Sequence, residues 1–346
     1  MLNVYAYNVG FGDGLLLEVP DGGQTRWVLI DVGNALGGPG SEAVALVAAV
    51  KDIQAKTGGH LDLYVMTHEH LDHVQGLLTA KEQAGISLQA DRVWMTASAK
   101  PDYYDTHPDA HHQKLALESA VHGLQRVLGS SDVLQELRPL LAVNGSNNTT
   151  KCVDYLRTIG RSGPPDYLHR QSTIDGKHPF VETTIRLLAP EEDTSVYYGA
   201  GPARAQLDAA AGPARTTRGT ARAPSVQPIP PPGVDAGAFY TLIDHLDRGL
   251  TESLFQIDAA ANNTSLVVEL TWRGRRLLFV GDAEQKSWQK MASQGLLRPV
   301  DFLKVGHHGS RLVLAATDMV CAGCRGMDLG DTCRVSRHSR AAVMPR

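Results

Sequence analysis

The sequence lacks any apolar run approaching the roughly 20 residues a bilayer-spanning helix needs. Its start, Met1-Leu2-Asn3-Val4-Tyr5-Ala6-Tyr7, has neither the basic n-region nor the long apolar h-region of a signal peptide. No membrane span and a cytoplasmic location are therefore expected. Cysteine is scarce: of four, Cys152 stands alone and the other three crowd into the last stretch, which is no disulfide framework for 346 residues. Positive charge is not in surplus either, since 33 Lys and Arg against 37 Asp and Glu leave a net charge of -4. Nucleic-acid binding rests on cations that neutralise phosphates, so any such contact must be local.

What is present is enough apolar sequence for a large core: 42% of residues are hydrophobic and 20% charged. One large domain with insertions is the expectation. The densest chemistry lies in Thr67-His68-Glu69-His70-Leu71-Asp72-His73, after the apolar run Leu61-Asp62-Leu63-Tyr64-Val65-Met66. Three imidazoles and a carboxylate within six residues suit zinc, manganese or iron, and alternation in an extended segment aims His68 and His70 the same way. Asp72 and His73 then open a helix, where the carboxylate meets the positive end of the dipole.

The pattern H-x-H-x-D-H after a strand resembles the metallo-β-lactamase fold superfamily. The resemblance implies two layers of sheet between helices, an αββα sandwich, with a one- or two-metal hydrolytic site at the sheet edge.

The rest of the chain supplies strands that end in polar groups. Leu2 to Val9 and Leu15 to Val19 predict a hairpin around Gly10-Phe11-Gly12-Asp13-Gly14, whose glycines let the loop lean toward the metal motif or serve as an ordinary turn with a solvated Asp13. Trp27 to Ile30 is a buried strand that ends at Asp31, and residues 41 to 56 have helical spacing. Val93 to Met95 and Thr183 to Pro190 read as strands, and His111 to Leu128 and Phe239 to Phe255 as helices. His107, His111 and His112 belong on a solvent-facing helix. Residues 199–237 are mostly alanine, proline, glycine and arginine without a periodic apolar face, and are expected to be a disordered insertion. They divide one folded unit into residues 1–198 and 238–310.

Asn262 to Leu270, then Arg275 to Val280 with Gly281-Asp282, read as a second hairpin, and Phe302 to Val305 leads into Gly306-His307-His308-Gly309-Ser310. The order Asn8-Val9-Gly10-Phe11-Gly12-Asp13, Asp31, His68-x-His70-x-Asp72-His73, Asn262-Asn263-x-Ser265, Gly281-Asp282 and Leu303-Lys304-Val305-x-His307-His308-Gly309-Ser310 resembles the metallo-β-lactamase domain of ComEC-type competence proteins. That likeness implies zinc, one or two ions, with manganese as the alternative. It places His68 and His70 on the first ion, Asp72, His73 and His307 on the second, and Asp282 between them, with His308 the lesser candidate. It also implies that Asp31 braces the metal-bearing loop, that Asp13 and Asn263 lie near it, and that Lys304 can meet substrate phosphate. Where many members place a further histidine, this chain has Asn262 and Asn263. A metal-bound hydroxide would then attack a phosphodiester of a nucleotide or short single-stranded nucleic acid, with catalysis carried by His70, Asp72 and Asp282. The alternatives are a lactone, thioester or β-lactam as substrate, or a metal-binding protein without turnover. Residues 311–346 have little periodicity and are expected to be an atypical, truncated end.

Overall fold

Short segments with alternating apolar side chains make strands that bury both faces. The computed structural model describes residues 1–34, 41–111, 146–197, 259–306 and 333–338. Among these, β1 (Leu2–Tyr7), β2 (Gly14–Asp21) and β3 (Gln24–Val32) are followed by α1 (Ser41–Thr57), β4 (His60–Met66), α2 (Leu71–Ala84) and β5 (Gln89–Thr96). Next come the short α3 (Tyr103–Thr106), α4 (Ser146–Leu156), β6 (Asp166–Leu168) and β7 (Thr184–Ala189). The described elements end with β8 (Val267–Trp272), β9 (Arg275–Phe279), α5 (Gln285–Ser293), β10 (Phe302–Lys304) and β11 (Cys333–His338).

The first sheet has the order β11-β1-β2-β3-β4-β5-β6. Tight turns make β1 to β3 antiparallel, whereas β3 to β6 are parallel, with α1, α2 and α4 falling in the successive crossovers. The second sheet, β10-β9-β8-β7, is antiparallel except where β10 joins β9.

Alternation sorts the side chains into layers. Leu16, Leu29, Tyr64 and Met66 share a core with Leu46 and Ile53 of α1, Val74 and Leu77 of α2, and Leu156 of α4. Leu17, Val28, Ile30 and Val65 point the other way and meet Leu187, Val268, Leu270 and Phe279 of the second sheet. Beyond it, Val267 and Leu278 pack on Trp288 and Met291 of α5. The architecture is mixed α/β, two sheets with helices packed on them. Each fully buried Leu or Val contributes about 1.5–3 kcal/mol relative to exposure, so the two-sided burial of the sheets is the main source of cohesion.

Polar contacts also tie the sheets together. Leu266 N–H donates to the Thr67 carbonyl (2.9 Å), and Trp272 Nε1–H donates to the Pro20 carbonyl (2.7 Å). The Asp21 carboxylate accepts the N–H groups of Val181, Glu182 and Thr183 at 2.7, 3.0 and 2.6 Å. Burial would raise the Asp21 pKa, but these N–H donors outweigh it and hold the group below the usual carboxylate range.

Two sequence expectations change. The strand expected from Asn262 starts at Val267, because the N–H groups of Asn263, Thr264 and Ser265 bond back to Ala259, Ala261 and Asn262 in a closing helical turn. Residues 333–338, within the stretch expected to be foreign to the fold, form β11, which pairs parallel with β1. The expected insertion at 199–237, the expected helix from Phe239 to Phe255 and all but the first residue of the helix expected from His111 to Leu128 lie outside the described residues. No helix among the described residues is long and apolar enough to cross a membrane.

Candidate metal centre

The centre forms where β3, β4 and β9 end together, which is where parallel strands in α/β sheets present their loops. β4 gives way to α2 at His70, whose extended backbone (φ -80°, ψ 147°) makes it the N-cap, and Asp72 lies in the first helical turn. Seating that turn against β3 demands a residue without a side chain. A Cβ on Gly33 would lie 2.4 Å from the Asp72 carbonyl carbon and 2.6 Å from the His73 nitrogen, closer than packed atoms tolerate. The glycine loop after β1 does lean on the motif: Asp13 N–H donates to the Asp72 carbonyl (3.1 Å) and Gly33 N–H to the Asp13 carbonyl (2.9 Å).

Asp31 then sets the histidines. It sits in the left-handed region (φ 49°) at the end of β3, where only short polar residues and glycine are comfortable. Its Oδ1 accepts the Thr67 N–H (2.8 Å), and its Oδ2 accepts both the Thr67 hydroxyl (2.6 Å) and His73 Nδ1–H (2.8 Å). Because the single Thr67 hydroxyl proton goes to Asp31, the 3.1 Å contact between Thr67 Oγ1 and His68 Nδ1 must be donated by the histidine. That fixes the tautomer. His68 Nε2 keeps a lone pair; it is buried and has no hydrogen-bond partner among the described residues. Burial, reinforced by His73 and His70, holds the His68 pKa well below the ordinary histidine value.

The second sheet brings Asp282 to the same place. Gly281 turns the chain after β9 at φ 52°, where a Cβ would press on Thr67 at 2.7 Å, and Asp282 N–H donates to Ser265 Oγ (3.0 Å). Asp282 Oδ2 is 3.2 Å from His73 Nε2, and Asp72 Oδ2 is 3.8 Å from it. One ligand atom each from His68, His73 and Asp282 falls within 4.8 Å of the others, all buried. His70 lies alongside, its ring 4.7 Å from that of His68. Burial opposes charge on His73, but Asp282, Asp72 and Asp31 overcome it and raise its pKa well above the ordinary value. Asp282 is the reverse case: burial would raise it, but His73 and Lys304 hold it well below the carboxylate range.

The remaining expected residues divide. Lys304, at the end of β10, contacts Asp13 Oδ2, the Gly281 carbonyl (2.8 Å) and Asp282 Oδ1 (3.4 Å), so its ammonium is engaged by carboxylates at the site's edge. Asn263, in the turn ahead of β8, serves α5: its Oδ1 accepts the N–H groups of Glu284 (3.1 Å) and Ser287 (2.8 Å) at the start of that helix. Asn262 donates to Glu284 Oε1 (2.8 Å). His307 and His308 lie outside the described residues. His107 stacks on Tyr103 with ring centroids 4.1 Å apart, and neither it nor His111 belongs to the His68, His73 and Asp282 group. The sequence assigns no individual role to Thr67, Gly33, Ser265 or Gly281, although Thr67, Ser265 and Gly281 stand within its motifs.

Compared with known proteins, the chain matches no family model and no curated sequence.

Proposed function

We propose that the protein is a metal-dependent hydrolase with the αββα sandwich of the metallo-β-lactamase fold, acting on a phosphodiester in a nucleotide or short single-stranded nucleic acid. The observation that carries this reading is the buried lone pair of His68 Nε2, aimed where ligand atoms of His73 and Asp282 converge from the other elements. A buried acceptor costs free energy unless something satisfies it, and two imidazoles with a carboxylate suit zinc, with manganese as the alternative.

His68, His73 and Asp282 would hold the ion, with Asp72 and His70 beside them. When bound, a divalent ion supplies Lewis-acid polarisation of a phosphoryl or acyl oxygen and lowers the pKa of water. The protein's own groups prepare the place: Thr67 and Asp31 fix the imidazole faces, and burial keeps bulk water from competing for His68. The phosphodiester preference is supported by the order of motifs along the chain. Since Lys304 is engaged by Asp13 and Asp282, recognition of phosphate falls to groups other than that lysine.

The test is metal analysis followed by a side-by-side assay of a bis-aryl phosphate, short single-stranded DNA, an acyl lactone and a chromogenic β-lactam, with Asp72→Ala as the blank. Cleavage of the phosphodiesters by metal-loaded protein is expected. Turnover of the lactone or β-lactam alone would reject the substrate class, and failure to retain any metal would reject the hydrolase.

A further inference from the structure

Asp282 has two carboxylate oxygens with different neighbours. Oδ2 faces His73 Nε2 at 3.2 Å, while Oδ1 faces Lys304 Nζ at 3.4 Å. The lysine is itself held from two other sides, by the Gly281 carbonyl at 2.8 Å and by Asp13 Oδ2. Asp13 in turn is fixed through its backbone, donating to the Asp72 carbonyl and accepting from Gly33 N–H. A continuous chain of contacts thus runs from the helix that bears Asp72 and His73, through the glycine loop and the lysine, to the far oxygen of Asp282. Its Lys304 and Asp13 side chains are only 11% and 17% exposed, so solvent screens the pair weakly.

Resting on the metal reading above, we propose that Lys304 and Asp13 act together as positioning residues that fix the plane of the Asp282 carboxylate, with one oxygen on the ammonium and the other presented to the ion. Lys304 takes no part in binding substrate phosphate. A carboxylate on a short side chain has a broad, two-fold torsion at its end, and the ammonium on one oxygen narrows it, so that the other oxygen keeps a fixed direction. The Gly281 carbonyl fixes the ammonium on the same turn that carries Asp282, so the constraint is local to that side chain.

The experiment measures zinc affinity by competition with a chromophoric chelator, and the visible spectrum of the cobalt-substituted protein, for the wild type, Lys304→Met, Asp13→Asn and the double variant. Each single change should weaken zinc binding about 10- to 100-fold, the range for groups that orient a metal ligand. Both should alter the cobalt spectrum, which a merely structural contribution would leave unchanged. The double variant should lose little more than either single one, because the two side chains act as a unit. Asp13→Asn preserves size and hydrogen bonding, and so decides the matter if Lys304→Met does not fold. Unchanged affinity and spectrum in the folded single variants, or losses that multiply in the double, would overturn the proposal while leaving the metal reading intact. Absence of zinc binding by the wild type would overturn both.

Discussion

The two walls of the candidate metal centre are built in opposite ways. On the first sheet, His68, His70, Asp72 and His73 come from one contiguous stretch, seated by Gly33 and oriented by Asp31 at the end of the neighbouring strand. On the second, Asp282, the one expected ligand among the described residues of that sheet, is placed by contacts gathered from Ser265, His73 and Lys304, far apart in the chain. The first wall depends on local backbone geometry and the second on compensation of charge. Changes to the first should therefore act through ligand orientation, and loss of the Asp282 charge itself chiefly through stability.

The largest effect expected from this contrast is at Asp282. Replacing it with asparagine leaves Lys304 and the imidazolium of His73 without their shared anion inside the protein, and losing one partner of a buried pair typically costs about 3–5 kcal/mol. Urea unfolding of the metal-free protein should show that loss; a change near zero would mean that the second wall is not held by charge.

Asp31→Asn should act differently, weakening metal binding about 10- to 100-fold through misorientation of His73 and Thr67. Its pH dependence sharpens the distinction. In the wild type, His73 is held protonated well above its ordinary value by Asp282, Asp72 and Asp31, against the pull of burial. An incoming cation must displace that proton, so metal affinity should rise as pH rises through neutrality. With one of the three carboxylates neutralised the His73 pKa falls and the slope flattens. Calorimetric titrations in buffers of different ionisation enthalpy count the released protons; an unaltered slope in Asp31→Asn would show that Asp31 does not hold the His73 proton.

Asn263→Ala gives the smallest effect and tests whether the second wall hides a further ligand. Its amide oxygen caps α5, so its removal should lower stability by about 1–2 kcal/mol and leave metal affinity within a few-fold of wild type. A tenfold loss of affinity with unchanged stability would return Asn263 to the metal.

The same contrast governs how much could be read in the sequence. The strands carrying Leu16, Leu29 and Val65 were legible because period-two alternation is a local signal, and the contiguous histidine motif stood out because its donors share one turn of chain. Asp31 and Asp282 were visible as carboxylates at strand ends. What Asn263 and Lys304 contact was not legible: Asn263 meets a helix start about twenty residues on, and Lys304 meets a loop at the other end of the sequence, pairings set by sheet packing. The strand start at Val267 was misplaced because Asn262-Asn263-Thr264-Ser265 runs straight into Leu266-Val267-Val268 with no glycine or proline between, while the helical turn ahead of the strand is fixed by backbone bonds that leave no compositional trace.

The bond from Leu266 N–H to the Thr67 carbonyl has a consequence for how the molecule melts. It joins the second sheet to the first one residue before His68, so parting the sheets breaks a bond to the backbone that carries the histidines. Loss of either sheet would abolish the proposed binding place, and an ion that binds only the intact arrangement would raise the unfolding midpoint of both sheets together, by RT ln(1 + [ion]/Kd) in free energy. Spectroscopic probes placed on Trp94 in the first sheet and Trp272 in the second would then report one coincident transition, shifted as a unit by added metal.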